Sequence, residues 1–222
     1  MKGYKHIIWD WNGTLLDDVE IVIQAMNHLL KKRGLPLIDY ETYKTIFTFP
    51  VKSYYIELGF DFKEEPFEKL AAEYIEEFNS DKYCFKLFNE AEKVLSHFHN
   101  IGIGQSILSA SQEEELNCTV NRLGIKKYFK RIAGLNNHYA NSKVDRGKEL
   151  LTELNLKSEE VILVGDTIHD YEVACELGCN CLLISNGHQS YDRIEKLPVN
   201  IVSSLLDVSK LIQEITVNSG SK

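Results

Sequence analysis

The chain has 222 residues, enough for one large domain or a core with an insertion, and 44% of them are apolar. Its net charge of -8, with no basic block, argues against a protein built to grip a nucleic-acid backbone, but not against one that holds a small anion in a local nest of donors. No apolar run approaches the roughly 20 residues of a membrane span, and the apolar core of MKGYKHIIWD is too short for a signal peptide, so a cytoplasmic protein is expected, with neither membrane nor nucleic acid as partner.

The first element is HIIW (6–9), a short apolar run that reads as a strand buried on both faces. Asp10-Trp11-Asn12-Gly13-Thr14 follows it. Asn-Gly between apolar residues is also a hairpin signal, but LLDDVEIVIQAM continues with helical spacing. A calcium loop fails too, because it needs glycine at its sixth position and Gly13 is the fourth.

Val19, Val22, Met26, Leu29 and Leu30 form a helical stripe that ends at Gly34, and Phe67, Leu70, Ala71, Tyr74 and Phe78 form another. Almost a hundred residues separate the first strand from the second, with no clear strand among them, whereas one crossover needs only about a dozen. An inserted helical subdomain over residues 17–87 accounts for the surplus, leaving 1–16 and 88–222 as the core. Within the insert, TFPVKSYYIELGF (48–60) offers Lys52, Tyr54 and Tyr55 to a ligand; the plainer reading packs both tyrosines inside the insert and leaves Lys52 in solvent.

Beyond the insert, SILS (106–109), RIAGL (131–135), VILV (161–164), CLLIS (181–185) and NIV (200–202) read as further strands. Helical spacing over Ala91 to Asn100, Gln112 to Leu123, Asp145 to Leu154 and Asp170 to Leu177 alternates with them, and Gly124 and Gly178 stand where C-terminal glycines belong. The alternation predicts an α/β fold: a Rossmann-like parallel sheet with helices on both faces and right-handed crossovers. Cys175, Cys179 and Cys181 read as buried free thiols rather than metal ligands. The tail TVNSGSK is expected to fray.

Ligands of open α/β sheets bind beyond the carboxyl ends of the strands. Asp10 closes the first strand, where it could equally serve as a turn or cap residue. Ser109 closes the second, followed by Ala110 and by Ser111, which reads as a helix N-cap with Glu114 completing a capping box. That leaves Ser109 free beside the N–H groups of a helix start, a place that suits an anion. Lys143 and Lys148 lie before the fourth strand end, where either could simply be solvated. VILVGDTIHD puts Asp166 at that strand end and Asp170 one helical turn on, so two carboxylates would repel unless a cation sat between them; oxygen-seeking Mg2+ suits such a site.

Asp10, Ser109, Lys143 and the GDxxxD pair Asp166 and Asp170, in this order, resemble the haloacid dehalogenase-like hydrolase superfamily over the whole chain, and most of all its phosphoglycolate phosphatase-like branch with a small helical cap. The resemblance implies a phosphatase acting on a small phosphorylated metabolite, as a monomer or homodimer. Asp10 would be the nucleophile that forms an aspartyl-phosphate. Mg2+ would be held by Asp10, the backbone carbonyl of Asn12, Asp166 and Asp170. Ser109, Ala110, the turn at Trp11 and Lys143 would hold the phosphoryl oxygens, with Lys52 a candidate from the cap and Lys148 left to solvent.

The departure from the family pattern is Asn12, where its phosphatases usually carry an acid that protonates the leaving oxygen and then activates water. An amide does neither, and such help is typically worth 10²–10⁴-fold. Three accounts stay open: a substrate with a good leaving group, such as an acyl phosphate or pyrophosphate; proton transfer by another group, such as His169 or a cap residue; or a weakened enzyme whose purpose is binding or regulation. Deamidation of the Asn-Gly step would also create the missing acid. Mutases want an acid at this position, and the superfamily's dehalogenases do without Mg2+, which would leave Asp166 and Asp170 unexplained.

Overall fold

Strand β1 (His6–Trp9) lies at the centre of the molecule because each of its residues is buried and each face is covered. Ile7 and Trp9 point into one apolar layer with Val94, Leu95 and Phe98, whereas Ile8 points into another with Leu150, Val173 and Ala174. Alternation with period two thus serves two helical layers rather than one layer and solvent. The structure, a computed structural model, describes residues 3–80, 84–135 and 143–219.

Among the described residues, β1 belongs to a six-stranded parallel sheet with β4 (Gly104–Gln112), β5 (Arg131–Leu135), β6 (Val161–Gly165), β7 (Asn180–Ile184) and β8 (Asn200–Val202). The spatial order is β5-β4-β1-β6-β7-β8. Helices α5 (Ala91–Asn100), α6 (Glu113–Arg122), α7 (Lys143–Glu153), α8 (Ile168–Leu177), α9 (Tyr191–Ile194) and α10 (Leu205–Ser219) complete the α/β arrangement. α10 carries the backbone through Ser219, so much of the tail expected to fray is helical; residues 220–222 lie outside the described residues.

Between β1 and α5 the chain builds α1 (Val19–Lys32), α2 (Tyr40–Ile46), α3 (Val51–Glu57) and α4 (Phe67–Ser80). They share an apolar centre of Val22, Met26, Leu29, Tyr43, Tyr54 and Leu70. Arg33 ties the end of α1 to α4 and the turn before it through Glu73 at 2.6 Å and Glu65 at 2.7 Å. The expectation of no strand in this stretch needs correction: β2 (Leu16–Asp17) and β3 (Lys86–Leu87) form a two-residue antiparallel pair where the chain leaves and rejoins the sheet. Two residues are too few to show a period.

Two further expectations change. β4 runs three residues past Ser109, so Gln112 rather than Ser111 precedes α6, and it makes no side-chain cap. Cys175 is exposed and Cys179 and Cys181 are half-buried; all are free thiols.

Candidate active site

β1 and β6 are neighbours in register, Trp9 opposite Val164. Asp10 extends the pairing by donating its N–H to the Val164 carbonyl at 2.8 Å. Asp166 leaves β6 one residue beyond Gly165, so the two acids emerge side by side. The strand order reverses around β1, with β4 on one flank and β6 on the other, which opens the crevice where such sheets bind ligands. Thr14, in the turn after β1, has one hydroxyl proton and two acceptors: Asp166 Oδ1 at 3.0 Å and Asp10 Oδ2 at 3.2 Å.

Lys143, the first residue of α7, brings the ammonium. It is buried, with Nζ 2.5 Å from Asp10 Oδ1 and 2.6 Å from Asp170 Oδ1. Asp170 lies in the first turn of α8, and its other oxygen accepts from the Thr167 hydroxyl at 2.6 Å and from the backbone N–H groups of Thr167 and Asp166. Its carboxyl is therefore held below its ordinary pKa although burial works the other way, because Lys143 and Thr167 outweigh it. Asp166 accepts from the backbone N–H of His188 at 2.6 Å. Gly13, at φ 71°, has to be glycine twice over, since a Cβ there would collide with both His188 and Asp166.

Charge is not balanced within this cluster. Asp10, Asp166 and Asp170 are all buried and each offers an oxygen within 4.8 Å of the others, against one ammonium among them. Burial and the neighbouring Asp170 push Asp10 well above the usual carboxylate range despite Lys143. Burial also raises Asp166, against the pull of His188. Lys143 is raised as well: burial opposes its charge, but Asp10 and Asp170 prevail. Hard oxygen donors with an excess of buried negative charge are what Mg2+ coordination requires, so these residues fit the ion the sequence implies.

On the other side of the nucleophile lies an assembly the sequence did not foretell. Asn12 is spanned by two partners: its Nδ2 donates to Asp18 Oδ2 at 2.6 Å, and its Oδ1 accepts from Ser111 Oγ at 2.9 Å. The fully buried Asp18 also accepts from the N–H of Gly13 at 2.9 Å. His188 Nε2 stands 3.3 Å from Asp18, an ion-pair distance without hydrogen-bond alignment. The other ring nitrogen of His188 lies 2.7 Å from the Tyr43 hydroxyl of α2. Burial disfavours charge on this imidazole, but Asp18 and the other nearby acids overcome that and lift its pKa to about 9. Only the GH turn just beyond an apolar strand hinted at this group.

The remaining expected residues divide. Ser109 is buried beside the site, and its Oγ accepts from the N–H of Ser111 at 3.0 Å. Ala110 is exposed at the same strand end. The Trp11 side chain belongs to the apolar core, so it offers the site its backbone only. Lys52 is exposed on α3, with its ammonium 5.2 Å from the Phe62 ring centroid and 5.8 Å from that of Phe67 rather than among the acids. Tyr54 and Tyr55 are buried inside the helical insert, and Lys148 is exposed. His169, half-buried, stacks on Phe49 at 4.6 Å and lies 3.4 Å from Glu172.

The family model described as haloacid dehalogenase-like hydrolase matches residues 7–184. The tyrosine-protein kinase PtkA of Mycobacterium tuberculosis is 22% identical over 213 residues, 95% of this chain and 72% of its own. The N-acetylmuramic acid 6-phosphate phosphatase of Pseudomonas putida is 23% identical over 188 residues, 83% of this chain and 84% of its own. A solved structure, described as a predicted phosphoglycolate phosphatase from Haemophilus somnus, superposes with a TM-score of 0.78 at 16% identity, covering 95% of this chain and 99% of that one; at such identity it speaks for the fold alone.

Proposed function

This chain belongs to the haloacid dehalogenase-like hydrolase family, and from that premise we propose that it is a Mg2+-dependent phosphatase that opens a small-molecule phosphate ester through an aspartyl-phosphate on Asp10. The observation that carries the reading is the buried bridge from Lys143 to both Asp10 and Asp170, with Asp166 alongside. A phosphate dianion approaching Asp10 meets a like charge. Lys143 offsets that repulsion and points a donor at the equatorial oxygens as charge builds on them. Ser109 and the backbone after Asp10 offer further donors on the β4 side.

Asp10, Asp166 and the Asn12 backbone carbonyl would hold Mg2+, with Asp170 as a further carboxylate that also steers Lys143. Bound there, the ion supplies Lewis-acid stabilisation of the phosphoryl oxygens. Thr14 aligns Asp10 with Asp166 through its shared proton. The helices over residues 17–87 serve as a cap. Gln189 and Ser190, beyond β7, bond to the Phe47 and Lys44 backbones of the insert, at 2.9 Å and 3.0 Å, and so hold it over the crevice. Closure of this kind excludes water until the phosphoenzyme is ready for it. Phosphoglycolate and sugar phosphates are the first substrates to try, given the branch and the relatives this chain resembles.

The test is a panel of phosphorylated metabolites assayed with and without Mg2+, beside Asp10→Asn. Hydrolysis of a subset that needs both Mg2+ and Asp10 is the expected result. Activity surviving Asp10→Asn overturns the reading.

A further inference from the structure

Two independent observations bear on which phosphate esters the site accepts. The first is chemical. Both ends of the Asn12 amide are engaged, by Asp18 and by Ser111. The group cannot supply a proton to a departing oxygen, so an oxygen that leaves well as an anion is favoured over an alkoxide. The second is geometric. Where the insert meets the sheet core, aromatic rings gather next to the acids. Phe49 from the insert stacks on His169, at 4.6 Å and 28°, and His169 precedes Asp170 directly in the first turn of α8. Phe47 meets Phe49 edge-on at 5.4 Å and lies at the same distance from His188, whose backbone holds Asp166. Phe47 backs this wall from the insert's apolar centre, where it stacks on Tyr43 at 5.2 Å and meets Tyr54 at 5.4 Å, whereas Phe49 and His169 are half-buried in front of it.

We propose that the substrate is a phosphate ester of a planar aromatic alcohol, its ring stacked in the seat of Phe47, Phe49 and His169 and its phenolic oxygen turned toward Asn12. This inference rests on the phosphatase reading and ranks aryl esters ahead of the alkyl esters, phosphoglycolate and sugar phosphates, that the family resemblance suggests first. The existing Phe49–His169 stack is the contact the incoming ring replaces, offset or edge-on packing being the arrangement such rings prefer. In the first step an Asp10 oxygen bonds to phosphorus as the bond from phosphorus to the aryl oxygen breaks. The electron pair departs on that oxygen as a phenolate, which takes its proton from water afterwards. In the second step water attacks phosphorus, the bond to Asp10 breaks, and phosphate leaves while the surplus proton passes to solvent. No acid at position 12 is needed for the first departure.

The experiment compares phenyl, benzyl and propyl phosphate in the Mg2+-loaded full chain, in wild type, Phe49→Leu and Asn12→Asp. Benzyl and propyl phosphate both lose an alkoxide, so their ratio isolates the ring seat; phenyl against benzyl isolates the leaving group. The expected wild-type order in kcat/KM is phenyl, then benzyl, then propyl. Phe49→Leu should shrink the benzyl-to-propyl ratio by about 3- to 10-fold, the worth of one aromatic pair. Asn12→Asp should raise propyl and benzyl phosphate turnover more than phenyl. Equal kcat/KM for benzyl and propyl phosphate in wild type, or a ratio untouched by Phe49→Leu, overturns the aromatic seat even if hydrolysis itself depends on Asp10. Should Phe49→Leu fail to fold, His169→Ala gives the same ratio from the other side of the stack. Loss of all Asp10-dependent hydrolysis, by contrast, would count against the phosphatase reading.

Discussion

The two flanks of Asp10 are built in opposite ways. On one side Lys143, Asp166 and Asp170 come from strand ends and helix starts of the sheet core; Lys143 pairs directly with Asp10 and Asp170, and Thr14 bridges Asp10 and Asp166. On the other side Asn12 meets Asp18, His188 and Tyr43, a chain of contacts that runs from the nucleophile's turn through the core into α2 of the insert. Under the proposed reading, the first flank would handle the phosphoryl group that every phosphate ester shares, and the second, which holds Asn12, would handle the leaving group that distinguishes one ester from another.

Substitutions on each flank should therefore fail differently. Asp10→Asn removes the nucleophile and should abolish turnover, while it raises the thermal stability of the metal-free protein by relieving repulsion from Asp170; calorimetry with a chelator beside an activity assay reads both. Lys143→Met should also abolish turnover but destabilise by about 3–5 kcal/mol, because it leaves Asp10 and Asp170 facing each other unpaired in a buried site. Denaturant midpoints would test this, and recovery in the Asp10→Asn, Lys143→Met double variant would tie the loss to that repulsion.

The Asn12 flank carries smaller effects. Asn12→Asp should raise turnover of ordinary phosphomonoesters by about 10²-fold, the low end of general acid–base help. It sets a carboxylate against Asp18, so it should also lower stability, and Asp18→Asn should recover that stability. Steady-state rates on sugar phosphates and phosphoglycolate that do not rise would mean Asn12 is not simply a lost acid. Tyr43→Phe leaves His188 Nδ1 without its buried partner and should cost about 1–3 kcal/mol, read by denaturant titration.

The pH dependence of the metal-free protein follows from the same comparison. Asp10 and Asp166 are raised in the folded state, so the fold keeps protons the unfolded chain has released, and stability falls as pH climbs above 3.8. His188 contributes stability in full below 6.5 and loses it as pH rises through about 9. Asp170, lowered, acts in the opposite sense and only in acid. Melting temperature in chelator should therefore decline from pH 5 to pH 9, and Mg2+ should flatten the decline by neutralising the acids. A melting temperature that rises with pH in chelator would contradict this balance of charges.

The acid flank could be read from the sequence because Asp10 and Asp166 each close a short apolar run and Asp170 follows one helical turn on; Lys143, which opens a helix after a polar stretch, stands out only through its place in the family's order of motifs. The sheet was legible for the same reason at its centre, where β1 and β6 are buried throughout, while the outer β8 has no buried residue and is read from its short apolar run alone. The other flank could not be read that way. Asp18, Tyr43 and His188 are far apart in the chain, share no local spacing, and meet only once α2 folds back on the loop beyond β7. Ser111 misled for a related cause: an S-x-x-E pattern fits a capping box, but β4 runs on past it and its hydroxyl serves Asn12 instead. The β2–β3 pair was too short to leave a pattern.

The most direct test of the central claim is to look for phosphate on Asp10. The Mg2+-loaded protein is mixed with a hydrolysed substrate, quenched in acid during turnover, and mapped by peptide mass spectrometry. The account predicts one phosphoryl group on the peptide that contains Asp10, absent without Mg2+ and absent in Asp10→Asn. Steady turnover with no label at Asp10, or a label on another residue, would contradict it.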